Sequence, residues 1–157
     1  MFYSKYRISR RKKSRKMKMH RQEYKMKVTD FDAARLRALM LAARNSSDSI
    51  EIWLNKLHNL LKNVVFVNHL DISPDRITMN SKIKLRDNDR REEMAITLVF
   101  PADVLPETGL NFEEYKVSIL TPMGLAVLGR KVGDKIVNNV IVEEMLYQPE
   151  ASGDYDL

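Results

Sequence analysis

The first periodicity in the chain is helical. Leu36, Leu39, Met40 and Ala43 share one face of a helix predicted over residues 31–44. Thr29 or Asp30 can cap it, and Asp32 sits favourably in its first turn. Asn45-Ser46-Ser47 breaks the pattern. Beyond it, Ile50, Trp53, Leu54, Leu57, Leu61 and Val64 recur at spacings of three and four, the clearest helical stripe in the chain. So short a link predicts two antiparallel helices, a helical hairpin over residues 28–67. The apolar run at residues 64–67 fits helix or strand, and residues 69–74, with Asp71 and Ser73-Pro74, read as a linker.

From Ile77 the period changes to two. Ile77, Met79, Ile83 and Leu85 alternate with Thr78, Lys82 and Lys84, which predicts a strand with one wet face. Asp87-Asn88-Asp89-Arg90 is a turn, and Met94, Ile96, Leu98 and Phe100 mark a second strand ended by Pro101. Residues 103–114 form an acidic connection with Pro106 and Gly109. A third strand over 116–120 then runs into a corner. Thr121 supplies a hydroxyl N-cap, Pro122 suits the first helical position, and Gly129 can close the short helix in a left-handed conformation. Val132-Gly133-Asp134 is a tight turn. Ile136-Val137 and residues 140–147 complete the pattern as a hairpin around Asn138-Asn139. The fold class is therefore α+β: a short helical hairpin, then a five-stranded, mostly antiparallel sheet over residues 77–148 carrying one short helix. Residues 149–157 read as a polar, flexible tail.

Charge changes this picture at one end only. The net +6 divides into +11 over residues 1–27, with 12 Lys/Arg against the single acid Glu23, and −5 over the rest, with 15 Lys/Arg against 20 acids. The basic balance belongs to a tail, and a globally basic nucleic-acid-binding surface is excluded. The absence of cysteine removes disulfides and thiolate metal sites. No apolar run approaches the ~18 residues that span a membrane, so no membrane partner is expected. His20, His58 and His69 share no metal-ligand spacing.

Asp48 and Glu51, three residues apart at the hairpin tip, have two readings. Paired carboxylates can hold Mg²⁺ together with waters and substrate phosphate. Alternatively Ser47 or Asp48 is an N-cap and Glu51 folds back on the first turn as a capping box, which this spacing favours. No cofactor is called for.

A set of motifs in fixed order carries a family resemblance. Ile77-Thr78-Met79-Asn80-Ser81, Thr97-Leu98-Val99-Phe100-Pro101, Leu120-Thr121-Pro122-Met123-Gly124, Leu128-Gly129 and Val132-Gly133-Asp134 come first. Tyr147-Gln148-Pro149-Glu150-Ala151 and Gly153-Asp154-Tyr155 follow. Over roughly residues 28–157 the chain resembles the regulators of nucleoside diphosphate kinase (Rnk), relatives of the transcript-cleavage factors GreA and GreB. The resemblance implies an FKBP-like domain behind a short coiled coil. It also implies a cytoplasmic, monomeric regulator without enzymatic activity, which binds bacterial RNA polymerase near its secondary channel in competition with Gre factors. In the cleavage factors a long hairpin carries acidic residues to the polymerase metal, and Asp48 and Glu51 imitate that spacing. A helix of ~14 residues, however, spans only about 20 Å, roughly half the reach the resemblance implies for cleavage. The residues expected to meet a partner are therefore Asn45, Ser46, Ser47, Asp48 and Glu51 at the tip. Thr121, Pro122, Gly124, Gly129, Gly133 and Asp134 at the corner join them, although those glycines also suit backbone geometry alone. One departure is Asn138-Asn139, where the family commonly has Pro-Gly-Gly. An FKBP-like fold alone does not carry prolyl isomerase activity.

The basic tail lies outside the resemblance. Arg10, Arg11, Lys12, Lys13, Arg15 and Lys16, with almost nothing apolar between them, predict a disordered segment. It is either a solvated extension or an electrostatic tether to nucleic acid. On the tether reading, deleting residues 1–25 abolishes RNA binding at low salt; equal filter binding by the intact and shortened chains removes the tether.

Overall fold

The structure is a computed structural model describing residues 25–104 and 115–157. The basic cluster Arg10–Lys16 and residues 105–114 of the acidic connection lie outside the described residues. Chain order is β1 (Lys27–Thr29), α1 (Asp30–Ala42), α2 (Asp48–Lys62), β2 (Val65–Val67), β3 (Lys82–Asp87) and β4 (Glu92–Val99). A 3-10 turn at Pro101–Asp103 follows, then β5 (Tyr115–Ser118), α3 (Pro122–Val127), β6 (Val140–Tyr147) and α4 (Pro149–Ser152).

Thr29 caps α1, its Oγ1 accepting from the Asp32 backbone N–H at 3.0 Å. The stripe on α2 buries Leu54, Leu57 and Leu61, while Ile50 stays 38% exposed beyond the core. Burying a leucine such as Leu57 completely contributes about 2 kcal/mol. The two helices bring residues 27–29 and 65–67 together as a small parallel sheet, Lys27 facing Val65 and Thr29 facing Val67. The ambiguous run at 64–67 is therefore strand, and Lys27, expected to belong to the tail, pairs in β1.

Among the described residues the main sheet has four strands, not five, in the order β5-β4-β3-β6. β3 runs antiparallel to β4 and β6, whereas β5 lies parallel to β4. The Asp87 carboxylate accepts from the Asp89 and Arg90 N–H groups in the β3–β4 turn (2.9 and 3.2 Å). Two expected strand pieces are absent. Ile136-Val137 is reduced to a turn, with Asn138 at φ +49° and a lone bridge from Lys135 to Ile141. Ile77 and Met79 are buried as predicted, but outside any strand: Ile77 bonds the backbone of Gly129 and Arg130, and Met79 lies in a turn. There the Ser81 hydroxyl accepts from the Thr78 N–H at 3.0 Å, and Asn80 adopts φ +64°. Side chains that bond their own backbone compete with a ladder.

One core joins helices and sheet. Val28, Ala33, Leu36, Leu57 and Leu61 pack with Ile77, Met79, Ile83, Leu85, Ile96, Leu98, Ile119, Val127, Leu128 and Val142. The opposite sheet face is polar, where Lys84 bridges Glu93 and Glu143 (2.6 and 3.2 Å).

The expected flexible tail is instead docked. Gln148 Nε2 donates to the carbonyls of Ser73 and Arg76 (2.9 and 2.6 Å), and α4 follows at once. Thr78 Oγ1 donates to Glu150 at 2.7 Å; burial pushes that carboxyl up despite this bond. Tyr147 donates to Asp154, which with some burial raises its phenol to about 12. Tyr155 meets His69 edge-on, and Arg35 donates to the Leu157 carbonyl. Polar composition suggested a tail because these bonds are made by side chains with distant partners.

The buried Asp32 carboxylate accepts from the Met79 backbone N–H (2.9 Å) and pairs with Arg35 (2.7 Å). Asp32→Ala leaves the buried Met79 N–H without an acceptor and Arg35 without its carboxylate partner. Urea unfolding is expected to show a loss of about 3 kcal/mol, against under about 0.5 kcal/mol for the exposed Asp48→Ala.

Candidate functional site

The tip is built by the end of α1 and the start of α2. Ala43 closes α1 with φ −92°, Ser46 N–H donates to the Ala43 carbonyl at 3.1 Å, and Ser47 enters α2 in an extended conformation. Ser47 is thus the N-cap position, as one reading of the sequence has it, but no capping box forms. Its hydroxyl lies 3.1 Å from that of Ser49, and its carbonyl takes the N–H groups of Ile50 and Glu51. Asn45, Ser46, Ser47, Asp48 and Glu51 are all exposed. The two carboxylates thus stand at the helix N-terminus, where the macrodipole favours negative charge. Among the described residues no group of three or more His, Asp or Glu is placed to hold a metal ion.

The corner follows its predicted course closely. Thr121 Oγ1 accepts from the Gly124 N–H (3.1 Å) and donates to the Ser118 carbonyl (2.6 Å), with Pro122 at the first helical position. Gly124 is required by close approach, because a Cβ there would stand 2.1 Å from the Ser118 carbonyl oxygen. Gly129 follows the C-cap at φ +76°, and its carbonyl accepts from the Lys27 N–H (3.2 Å) and from Arg76 Nη1 (3.0 Å). Arg76 is almost wholly buried, and burial depresses its guanidinium pKa. Gly133 has φ +92° but open space around its Cα, and the Asp134 carboxylate accepts from the Lys131 N–H at 3.0 Å.

These two groups of predicted site residues do not come together. Val127 and Leu128 share the core with Leu57 and Leu61, whereas Asp48 lies nine residues earlier on α2, ~14 Å along its axis. Gly124 and Gly129 are buried, while Pro122 and Gly133 reach the surface. Between α1 and α2 the structure adds a groove of about 530 Å³, which the sequence does not mark. It is lined from both helices and includes Glu51 and His58. The sequence likewise marks Asp32 only as a first-turn acid, although it bonds across to residue 79.

Comparison with known proteins bears on the whole of this architecture. The family model for the C-terminal part of the transcription elongation factors GreA and GreB matches residues 72–148. A prokaryotic GreA/GreB elongation factor structure from Nitrosomonas europaea is 31% identical. The match has a TM-score of 0.59 and covers 78% of this chain and 98% of that one. The chain belongs to the GreA/GreB transcription elongation factor family. Its α+β fold is accordingly that of the family. The Escherichia coli K12 regulator of nucleoside diphosphate kinase is 39% identical over 89 residues, covering 52% of this chain and 61% of that protein. GreA of Clostridium beijerinckii is 35% identical over 94 residues, covering 60% of this chain and 55% of that one. The chain thus spans less than two thirds of the length of these curated relatives. Among the described residues no helix is long and apolar enough to cross a membrane.

The corner residues separate by substitution. Gly124→Ala forces a backbone collision and is expected to cost more than about 3 kcal/mol or to prevent folding. Gly133→Ala meets only left-handed strain of about 1 kcal/mol. Thermal unfolding of the two variants checks the order; similar losses would show that packing at Gly124 relaxes.

Proposed function

We propose that the chain is a non-enzymatic regulator of transcription that docks on bacterial RNA polymerase near the secondary channel and competes there with Gre factors. The FKBP-like sheet domain supplies the anchoring surface, with Pro122 and Gly133 on the exposed side of the corner. The helical pair occupies the channel entrance. The observation that carries this reading is a mismatch of parts. The match to the GreA/GreB C-terminal model at residues 72–148 stands beside helices of only 13 and 15 residues. At ~1.5 Å per residue they reach about 20 and 22 Å. An arm of that length, anchored in the core at its base, can obstruct an opening without carrying a cation to its far end.

A second reading, a cleavage-stimulating factor using Asp48 and Glu51, draws on the exposure of both acids at the tip. Reach argues against it, since a carboxylate away from the metal cannot position the attacking water whatever its charge. Core RNA polymerase immobilised on beads is expected to retain the chain, and excess GreA to displace it. Backtracked complexes are expected to show no added RNA cleavage, with Asp48→Ala behaving as the parent. Cleavage that disappears in Asp48→Ala reverses the ranking, and failure to bind polymerase removes both readings.

A further inference from the structure

The groove between α1 and α2 has an apolar floor and a cationic rim. Met40, Leu41, Leu54 and Leu61 line the floor, Leu41 with 58% of its surface exposed. Arg37, Arg44 and Lys62 stand along the rim against the single carboxylate of Glu51. None of the three cations forms an ion pair with another described residue, and the Arg37 guanidinium lies over the Phe66 ring at 5.0 Å. Positive charge is thus concentrated here, while residues 28–157 as a whole carry −5.

We propose that this groove is a docking site for an acidic amphipathic α-helix of a partner protein. The shape selects a helix. Two side-by-side helices offer no unpaired sheet edge for an extended peptide, but a third helix can set its apolar ridge into the furrow between them. The 13 residues of α1 bound the contact at about 20 Å, so a partner segment of three to four turns, apolar at every third or fourth position, fills it. The rim selects the sign: carboxylates flanking the apolar stripe meet Arg37, Arg44 and Lys62, whereas a basic helix meets repulsion. Nucleic acid fits less well, because the floor is aliphatic and His58 is the single ring among the lining residues, too little for a run of stacked bases. A second copy of this chain in a symmetric contact opposes like-charged rims. The inference concerns the chemistry of the occupant and stands apart from the question of which protein supplies it.

The test uses the full chain and two fluorescein-labelled helical peptides of about 14 residues. They share the same leucine stripe, and one has glutamates flanking it while the other has lysines. Anisotropy is expected to show binding of the acidic peptide, weakening with salt, at least about tenfold tighter than the basic one. The Met40 methyl signal is expected to move on binding. Arg37→Glu with Arg44→Glu, both exposed and with folding checked by circular dichroism, is expected to invert the preference. Leu41→Ser, also exposed, is expected to weaken both peptides and serves should the charge reversal disturb the fold. Equal affinity for the two peptides, or no binding of either, overturns the proposal. So does a Met40 signal that stays fixed. Concentration-dependent dimerisation that hides the groove assigns it to a second copy, and displacement of the acidic peptide by single-stranded RNA assigns it to nucleic acid; either result overturns the proposal.

Discussion

The position of the helices on the sheet depends on one buried carboxylate. Asp32 is completely inaccessible, accepts the Met79 N–H, and pairs with Arg35 in the next turn of its own helix. A buried carboxylate is tolerated only when its oxygens are bonded, so the first turn of α1 and the turn at residues 78–81 are fixed to each other. Several other contacts follow from that fixation. Arg35 lies between the rings of Phe31 and Phe100, at 4.7 and 5.0 Å, and reaches the Leu157 carbonyl. Thr78, in the same turn, holds Glu150. One ion pair thus gathers the base of the arm, the end of β4 and the C-terminus at a single place.

What the sequence discloses divides along a physical line. Local periodicity and local chemistry are legible. The stripe on α2, the cap at Thr29, the alternation along the inner half of β4 and the corner from Thr121 to Gly129 all depend on neighbours within a few positions, and all are present, although Met94 in the outer half of β4 is exposed. Long-range polar bonds are not legible. Ile77 and Met79 have the spacing of a strand because both are buried, but the Thr78–Ser81 bonds and the reach of Asp32 from 47 residues away bend that segment into a turn. The parallel pairing of β1 with β2 exists only because two helices return the chain to its starting point. The docked C-terminus escapes notice for the same reason, since most of its partners, Ser73, Arg76, Thr78 and Arg35 among them, lie far away in sequence.

For the candidate site the division is similar. The exposure of Asp48 and Glu51 follows from a polar break between two stripes, and the structure leaves them exposed. The capping box, a local pattern with a favourable spacing, nevertheless fails to form; the Ser47 hydroxyl lies beside Ser49 instead. At the corner, motif residues prove to have internal work: Gly124 admits the Ser118 carbonyl, and Gly129 receives Lys27 and Arg76. A recurrent motif can therefore preserve backbone geometry first, and only its solvent-facing members remain for a partner. The groove goes unseen because its two walls come from different helices, each of which reads separately as an ordinary amphipathic element.

These features bear on how a short arm could act. Its base is immobilised twice, by the core around Leu36, Leu57 and Leu61 and by the Asp32 linkage. Its outer part, from Ala42 to Trp53, lies beyond that core and is almost wholly exposed. A lever needs a hinge at its root, and this root is a poor hinge because opening it breaks the Asp32–Met79 bond and exposes the apolar core to water. On the proposed reading, the arm therefore suits a fixed obstruction better than a swinging one. Any adjustment to a partner is left to the outer turns, where apolar side chains stay open and the least packing has to be undone.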